Sequence, residues 1–421
     1  MSTEIVPSNL SSTRRQLALA IFLAGYASAI SVVSLEDLAE SFGVSGEATA
    51  AQRPTAAIGL GSILALALCR MADQKGRRNV FLFSMVAASI FTGLTAMAGS
   101  VTVFTLLQLV ARAFLAAQFI LAVTVLVEEF PPHRRGGAVG AVMACGALGL
   151  PAAAGLHAAL ADSALGWRAL YLIGLAPLIL APIMRTHFKE TRRWLDIAGK
   201  SHGLKRRADL LPIMQSGAAF FLTSFAVFAA AGWWSFYATN ERHFSTRTMT
   251  LLLAVAYPSG VLGYFVSGRL QDSWGRRKTG TLFMPAATVS GIAAFQATTP
   301  GMMLAPLVLA SFFGFGISPL LSTLVAEAFP TGARAYALGL ARSGFGTLGA
   351  ILGPIVVGIV TEVGKARGLT GLSDLGDGVS VAALALVPAL FLLRSLPETG
   401  GRELESITQA ASAERFELFH P

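Results

Sequence analysis

The sequence predicts an all-α polytopic membrane protein: twelve transmembrane helices in two six-helix halves. Three observations predict it. Of 421 residues, 54% are hydrophobic and only 13% charged, with a mean hydropathy of +0.64, where a soluble domain carries about 25% charged residues. Apolar windows of about 20 residues, long enough to cross a bilayer, recur twelve times. Two polar motifs recur at a single offset of 199 residues.

The first apolar run, 17–35, is long enough to span and is not followed by a small-residue cleavage site, so it reads as a retained helix. Runs 50–69 and 79–98 flank the basic loop 70–78. Run 101–127 ends at Glu128, just before Pro131, which stops the helix. Run 137–160 carries Gly146-x-x-Gly149-x-Pro151-x-x-x-Gly155, and run 168–187 closes the first half. Run 211–238 ends in Trp233, Trp234, Phe236 and Tyr237, which read as an interfacial aromatic belt. Runs 248–270, 279–298, 301–326 and 336–362 follow, the last with Gly349-x-x-x-Gly353-Pro354-x-x-x-Gly358, and 378–394 is the twelfth. The expected organisation is a bundle over 1–187, a basic linker over 188–210, a second bundle over 211–394 and a tail over 395–421. The glycine runs of spans five and eleven are expected at the contact between the halves, where small residues let helices approach.

Charge sets the orientation. With the N-terminus inside, 24 of the 32 Lys and Arg fall on cytoplasmic segments, 6 on the other side and two within spans. This bias places both termini in the cytoplasm. The net charge of +9 is therefore topological and does not indicate nucleic-acid binding. Cys69 and Cys145 lie in or beside apolar segments and imply no disulfide framework.

Asp73-x-x-Gly76-Arg77-Arg78 recurs as Asp272-x-x-Gly275-Arg276-Arg277, and Glu128-x-x-Pro131-x-x-x-Arg135 as Glu327-x-x-Pro330-x-x-x-Arg334. Glu190-Thr191 and Glu398-Thr399 echo each other after the sixth and twelfth spans. Two parallel halves are a transporter architecture, with substrate expected between them near the midplane. On these motifs, across essentially the whole chain, the sequence resembles the major facilitator superfamily. The segments Glu190–Leu195 and Pro397–Leu404 are similar to those ending each half in its sugar-porter and metabolite (organic acid)–proton symporter branches. Cys69 stands where that family usually has Gly, and Ala24-Gly25-Tyr26-Ala27-Ser28 lacks the acids that aromatic-acid symporters usually carry there.

Asp73 is placed to bond the N–H groups of a neighbouring helix start. Gly76 and Gly275 permit a tight turn with positive φ. Arg77 and Arg78 are expected to pair with Glu128, Glu129 or lipid headgroups. The resemblance implies that Asp73, Gly76, Arg77, Arg78, Glu128 and Arg135, with Asp272, Gly275, Arg276, Arg277, Glu327 and Arg334, latch the cytoplasmic side. A latch that breaks every cycle is expected to be partly wet, with each pair worth little. Capping and snorkelling are the plainer role for Glu128, Arg135, Glu327 and Arg334.

Only Arg112 and Arg342 lie deep in spans, and no Asp or Glu occupies the middle of one. An intramembrane Arg costs at least ~2.5–3.5 kcal/mol on insertion scales, which marks it as a functional candidate. Two guanidiniums without a buried carboxylate imply a cavity suited to a carboxylate or phosphate. For Arg112 the alternative is pairing with loop or backbone groups; for Arg342 it is a position too near the cytoplasm. Aromatic-acid symporters carry an Arg in a similar Arg-x-Gly context. Tyr26 and Gln118 join the two arginines as substrate-binding candidates. Glu36, Asp37 and His157 are the candidate proton carriers, although the first two read equally as outer-loop groups and the last as a structural His.

The function expected is secondary active transport by alternating access, with proton-coupled uptake of a small organic anion leading. Efflux of amphiphilic compounds is the alternative, and a sugar permease a third; Phe220 to Tyr237 contains no Gln or Asn to match sugar hydroxyls. No His, Asp or Cys cluster at membrane depth suggests an enzyme, and no Gly-Lys-Ser loop suggests nucleotide-driven transport. No cofactor or metal is expected. The expected partners are the lipid bilayer, an anionic small molecule and a proton, and the chain is expected as a monomer in the plasma (inner) membrane.

Overall fold

The structure is a computed structural model that describes residues 8–43, 48–160, 163–198, 210–369 and 374–407, with side chains from Leu10 and, after the first gap, from Ile58. Residues 199–209 of the expected linker over 188–210 and 408–421 of the expected tail over 395–421 therefore lie outside the described residues. All regular structure among the described residues is helical.

Besides the short helices Leu35–Ser41 and Arg192–Leu195, twelve long helical segments follow one another among the described residues: α1 Ser8–Val33, α2 Ala48–Lys75, α3 Arg77–Thr95, α4 Val101–Glu129, α5 Pro132–Ala159, α6 Arg168–His187, α7 Leu210–Glu241, α8 Thr246–Trp274, α9 Arg276–Gln296, α10 Pro300–Ala328, α11 Thr331–Arg367 and α12 Leu375–Ser395. Ten are long and apolar enough over the described residues to cross a membrane. The others are α2, whose first turns carry no described side chains, and α9, diluted by Thr279, Gly280, Thr281, Thr288 and Ser290. The chain is thus a multi-pass membrane protein of the expected twelve-helix class.

Sequence repetition becomes structural repetition at the helix starts. Ser100 Oγ accepts the Val103 N–H to begin α4, and Thr299 Oγ1 accepts the Met302 N–H to begin α10, both at 3.3 Å. These caps satisfy one of the four free donors at each helix N-terminus.

The chain divides into two compact units. One contains Met1–Phe130, Ala141–Gly203 and Thr331–Gly339; the other contains Pro131–Gly140, Leu204–Pro330 and Leu340–Pro421. Each unit thus includes a short segment from the opposite half of the sequence.

In the first unit, Tyr26, Ile30, Ile58, Phe104, Trp167 and Tyr171 form an aromatic-rich core. In the second, Trp234, Tyr237, Phe295, Met303, Leu307 and Val357 do so. The aromatic belt expected at the end of α7 is therefore only partly one. Trp234 and Tyr237 are buried, the Tyr237 hydroxyl donates to Phe295 O, and Trp233 Nε1 donates to Pro354 O at 2.8 Å; only Phe236 is exposed. A buried ring must find a partner for its polar end, and these rings find backbone carbonyls.

The glycine runs also differ from expectation. A Cβ on Gly25 would lie 2.0 Å from Gly146 O, and one on Gly149 2.2 Å from Tyr26 N, so these residues close α1 on α5 inside the first unit. Gly349 and Gly353 meet Phe221 and Phe225 backbone, closing α7 on α11 inside the second. Helices in lipid gain little from hydrophobic association and rely on such close approach, so the small residues are used within each bundle.

Candidate functional site

Two loop networks and two intramembrane arginines gather the candidate residues. The first network starts at the α2–α3 turn. Gly76 has φ 100°, which L side chains rarely adopt, and a Cβ there would lie 2.3 Å from Glu190 Oε2. The carboxylate of Glu190 accepts the N–H groups of Arg77 (2.9 Å) and Arg78 (3.1 Å), capping α3. Arg77 then turns inward. Its Nε and Nη2 donate to the two oxygens of Glu128 at 3.1 and 2.9 Å, a bidentate pair. Nη1 donates to Ala72 O, and Nη2 also to Thr331 O. Glu128 further accepts Thr191 Oγ1 at 2.6 Å and Arg334 Nη1 at 2.9 Å. Asp73 accepts the N–H groups of Ala335 (3.2 Å) and Tyr336 (2.9 Å) at the first α-helical turn of α11 and lies 3.1 Å from Arg77. Asp73 sits beyond the span 50–69. Burial raises its carboxyl to about 6, against the opposing pull of Arg77 and the two N–H donors.

The second network repeats the first. Gly275 has φ 93°. Glu398 accepts the N–H groups of Arg276 and Arg277 at 2.9 and 2.8 Å. Burial opposes its ionisation, but these donors, the Gly400 N–H and the Arg276 charge outweigh it and hold the carboxyl below its usual range. Arg276 Nε and Nη2 donate to Glu327 at 3.0 and 2.9 Å, and Thr399 Oγ1 at 2.6 Å. Arg135 approaches Glu327 at 3.6 Å. Asp272 accepts the N–H groups of Gly136 (2.9 Å) and Gly137 (2.7 Å).

Arg78 does not take the expected Glu128 or Glu129, and Arg277 behaves alike. Their Nε atoms donate to Phe188 O (2.6 Å) and Leu396 O (2.8 Å), because the carboxylates beside them already cap helix starts. The expectation of wet, weak pairs is also corrected. Arg77, Arg135, Arg276 and Arg334, with Glu128 and Glu327, are all buried. Arginine provides the fork that makes such burial tolerable, since each carboxylate oxygen receives a donor. Thr191 and Thr399 are the residues that the motif reading missed, although the echo at offset 208 pointed to them.

The networks are not identical. Cys69 Sγ would lie 3.0 Å from a Cβ on Gly339, whereas Gly268, its counterpart, meets the backbone of Gly136 and Gly140. Arg135 also donates to Arg402 O at 3.0 Å and approaches Glu403 at 3.5 Å.

Arg112, in α4, donates from Nη2 to Ser28 O at 3.3 Å and lies near Tyr171. Arg342 lies in a π-helical stretch of α11, Leu340–Gly346, a form frequent at functional sites. Its Nη1 donates to Ser318 Oγ (3.0 Å) and Ser322 Oγ (3.1 Å) of α10. Both guanidiniums are only partly covered, and among the described residues neither meets a carboxylate.

Tyr26 and Gln118 are buried and bonded within the first unit: Tyr26 OH donates to Leu170 O at 3.0 Å, and Gln118 Nε2 to Ser84 O at 3.4 Å. Both polar ends are thus engaged by backbone. Of the proton candidates, His157 Nε2 lies 2.6 Å from Asp37 Oδ2, each partly exposed, while Glu36 is exposed.

A family model described as the Major Facilitator Superfamily matches residues 17–354 and 216–413. The chain is 26% identical, over 80% of its length and 83% of the relative's, to a putative metabolite transport protein of Haemophilus influenzae. It is likewise 26% identical, over 76% of its length and 79% of the relative's, to the cis,cis-muconate transport protein of Acinetobacter baylyi. A solved proton:xylose symporter bound to a bromo-deoxyglucose superposes with TM-score 0.80 at 19% identity, over 96% of this chain and 99% of that one.

Proposed function

The chain belongs to the Major Facilitator Superfamily, and from that premise we propose that this transporter takes up a small organic anion, a carboxylate metabolite, together with a proton by alternating access. The observation that carries the reading is the pair Arg112 and Arg342. Among the described residues each guanidinium is bonded only to neutral oxygens, so a substrate carboxylate is the natural counter-ion. The muconate-transporting relative, whose substrate is a dicarboxylate, supports the same class.

In this reading the two loop networks gate the cytoplasmic side, opening and closing through Asp73 and Asp272. The Asp37–His157 pair is the candidate for proton exchange, since an imidazole nitrogen 2.6 Å from a carboxylate oxygen is placed to share a proton with it. The protein would work as a monomer in the plasma (inner) membrane with both termini in the cytoplasm.

The test is uptake of labelled organic acids by proteoliposomes under an imposed proton gradient. Arg112→Ala is expected to abolish uptake while leaving the thermal unfolding midpoint in place. Normal transport by that variant would remove the anion site.

A further inference from the structure

One wall beside Arg342 is built of rings. Phe315 precedes Ser318 and Ser322 by three and seven residues on α10, so all three share one helix face. The ring therefore stands about one turn along α10 from the Ser318 hydroxyl and about two from that of Ser322, the two that hold Arg342. Two tyrosines of α8 fix its orientation. Tyr257 lies edge-on at 5.5 Å between centroids and 85°, and Tyr264 lies at 5.6 Å and 44°. Tyr264 also lies near Arg342, which ties the ring cluster to the guanidinium. Gly260 makes the room: a Cβ there would fall 2.5 Å from Phe315 Cδ2. Phe315 and Arg342 both keep some accessible surface. The Nε and Nη2 groups of Arg342 have no hydrogen-bond partner among the described residues, which leaves one edge of the fork for a carboxylate.

We propose that Phe315 is a specificity-determining residue: it selects flat, conjugated acids over saturated acids of the same size and charge, while Arg342 holds the carboxylate. The assignment rests on the anion reading above and adds to it the shape of the anion. A preoriented ring costs little to order on binding. Its π-face matches another flat π-system and matches puckered CH₂ groups poorly, which sets the size of the discrimination at roughly threefold to tenfold.

The test uses the full chain, purified in detergent, and calorimetric titration of two matched pairs: benzoate against cyclohexanecarboxylate, and cis,cis-muconate against adipate. In the wild type the conjugated member of at least one pair is expected to bind about three to ten times more tightly. Phe315→Leu is expected to bring that ratio close to one while the saturated acid keeps its affinity. Phe315→Tyr is expected to keep the preference, and Gly260→Ala, which displaces the ring without removing it, to reduce it. Thermal midpoints near wild type show that the variants are folded. Equal affinity within both pairs, or a preference that survives Phe315→Leu, overturns the role of Phe315 and leaves the anion reading intact. Failure of all four acids to bind the wild type overturns both.

Discussion

Arg334 Nη1 lies 2.9 Å from Glu128 Oε1, with both side chains buried, although 206 residues separate them in sequence. Glu128 is also held by Arg77 at both oxygens and by Thr191. The arginines are therefore unequal. Arg77→Ala removes two donors from a buried carboxylate and is expected to cost about 3–5 kcal/mol, the range for breaking a buried pair. Arg334→Ala leaves the bidentate pair intact and should cost clearly less. Thermal or denaturant unfolding in detergent ranks the two, and an equal loss would assign Arg334 more than a supporting contact.

Asp73 gives a pH dependence with a definite sign. Its carboxyl is raised from 3.8 to about 6 by burial, so the folded state holds the proton over a window in which the exposed state releases it. The contribution to stability is full below about 4 and is lost as pH rises through about 6, a change on the order of 2–3 kcal/mol. Thermal midpoints from pH 4 to 8 should fall more in wild type than in Asp73→Asn, which lacks the titrating group.

The α2–α3 turn allows one residue type. At Gly76 an added methyl meets both the positive φ and the Glu190 carboxylate at 2.3 Å, and moving that carboxylate uncaps α3. Gly76→Ala is expected to destabilise by about 1–3 kcal/mol. At Gly275 the same methyl stands 3.1 Å from Glu398, so Gly275→Ala should cost less. A comparison of unfolding midpoints decides the order.

Asp272 accepts the N–H groups of Gly136 and Gly137 and lies 3.5 Å from Arg276. Asp272→Asn keeps the shape but weakens the acceptor. It is expected to slow turnover in proteoliposomes more than it weakens substrate affinity. An equal loss in both would count against a gating role.

The twelve helices and the matched networks were legible in the sequence because both depend on short-range patterns: apolar length for the helices, duplicated spacing for the motifs. Burial was not. The spacing of Arg77, Glu128 and Arg334 says that they meet and says nothing of whether water reaches them, which depends on what packs above. The same limit applied to Gly146 and Gly349, whose small size signals a close neighbour without naming it. Thr191 was visible only as an echo of Thr399, since one hydroxyl in a loop carries no pattern until its carboxylate is in place. Phe315 was indistinguishable from the many phenylalanines of an apolar chain. Its meaning comes from Tyr257 and Gly260 on another helix.

The contact of Arg135 with Glu403 makes the two networks chemically distinguishable. Glu403 is 56% exposed, so dissolved ions reach this contact, while Glu128 and Glu327 are shielded. At 0.15 M salt, exposed charges are screened beyond about 8 Å, and buried pairs much less. Ionic strength therefore acts more strongly on the Arg135–Glu403 contact than on the buried Arg77–Glu128 and Arg276–Glu327 pairs.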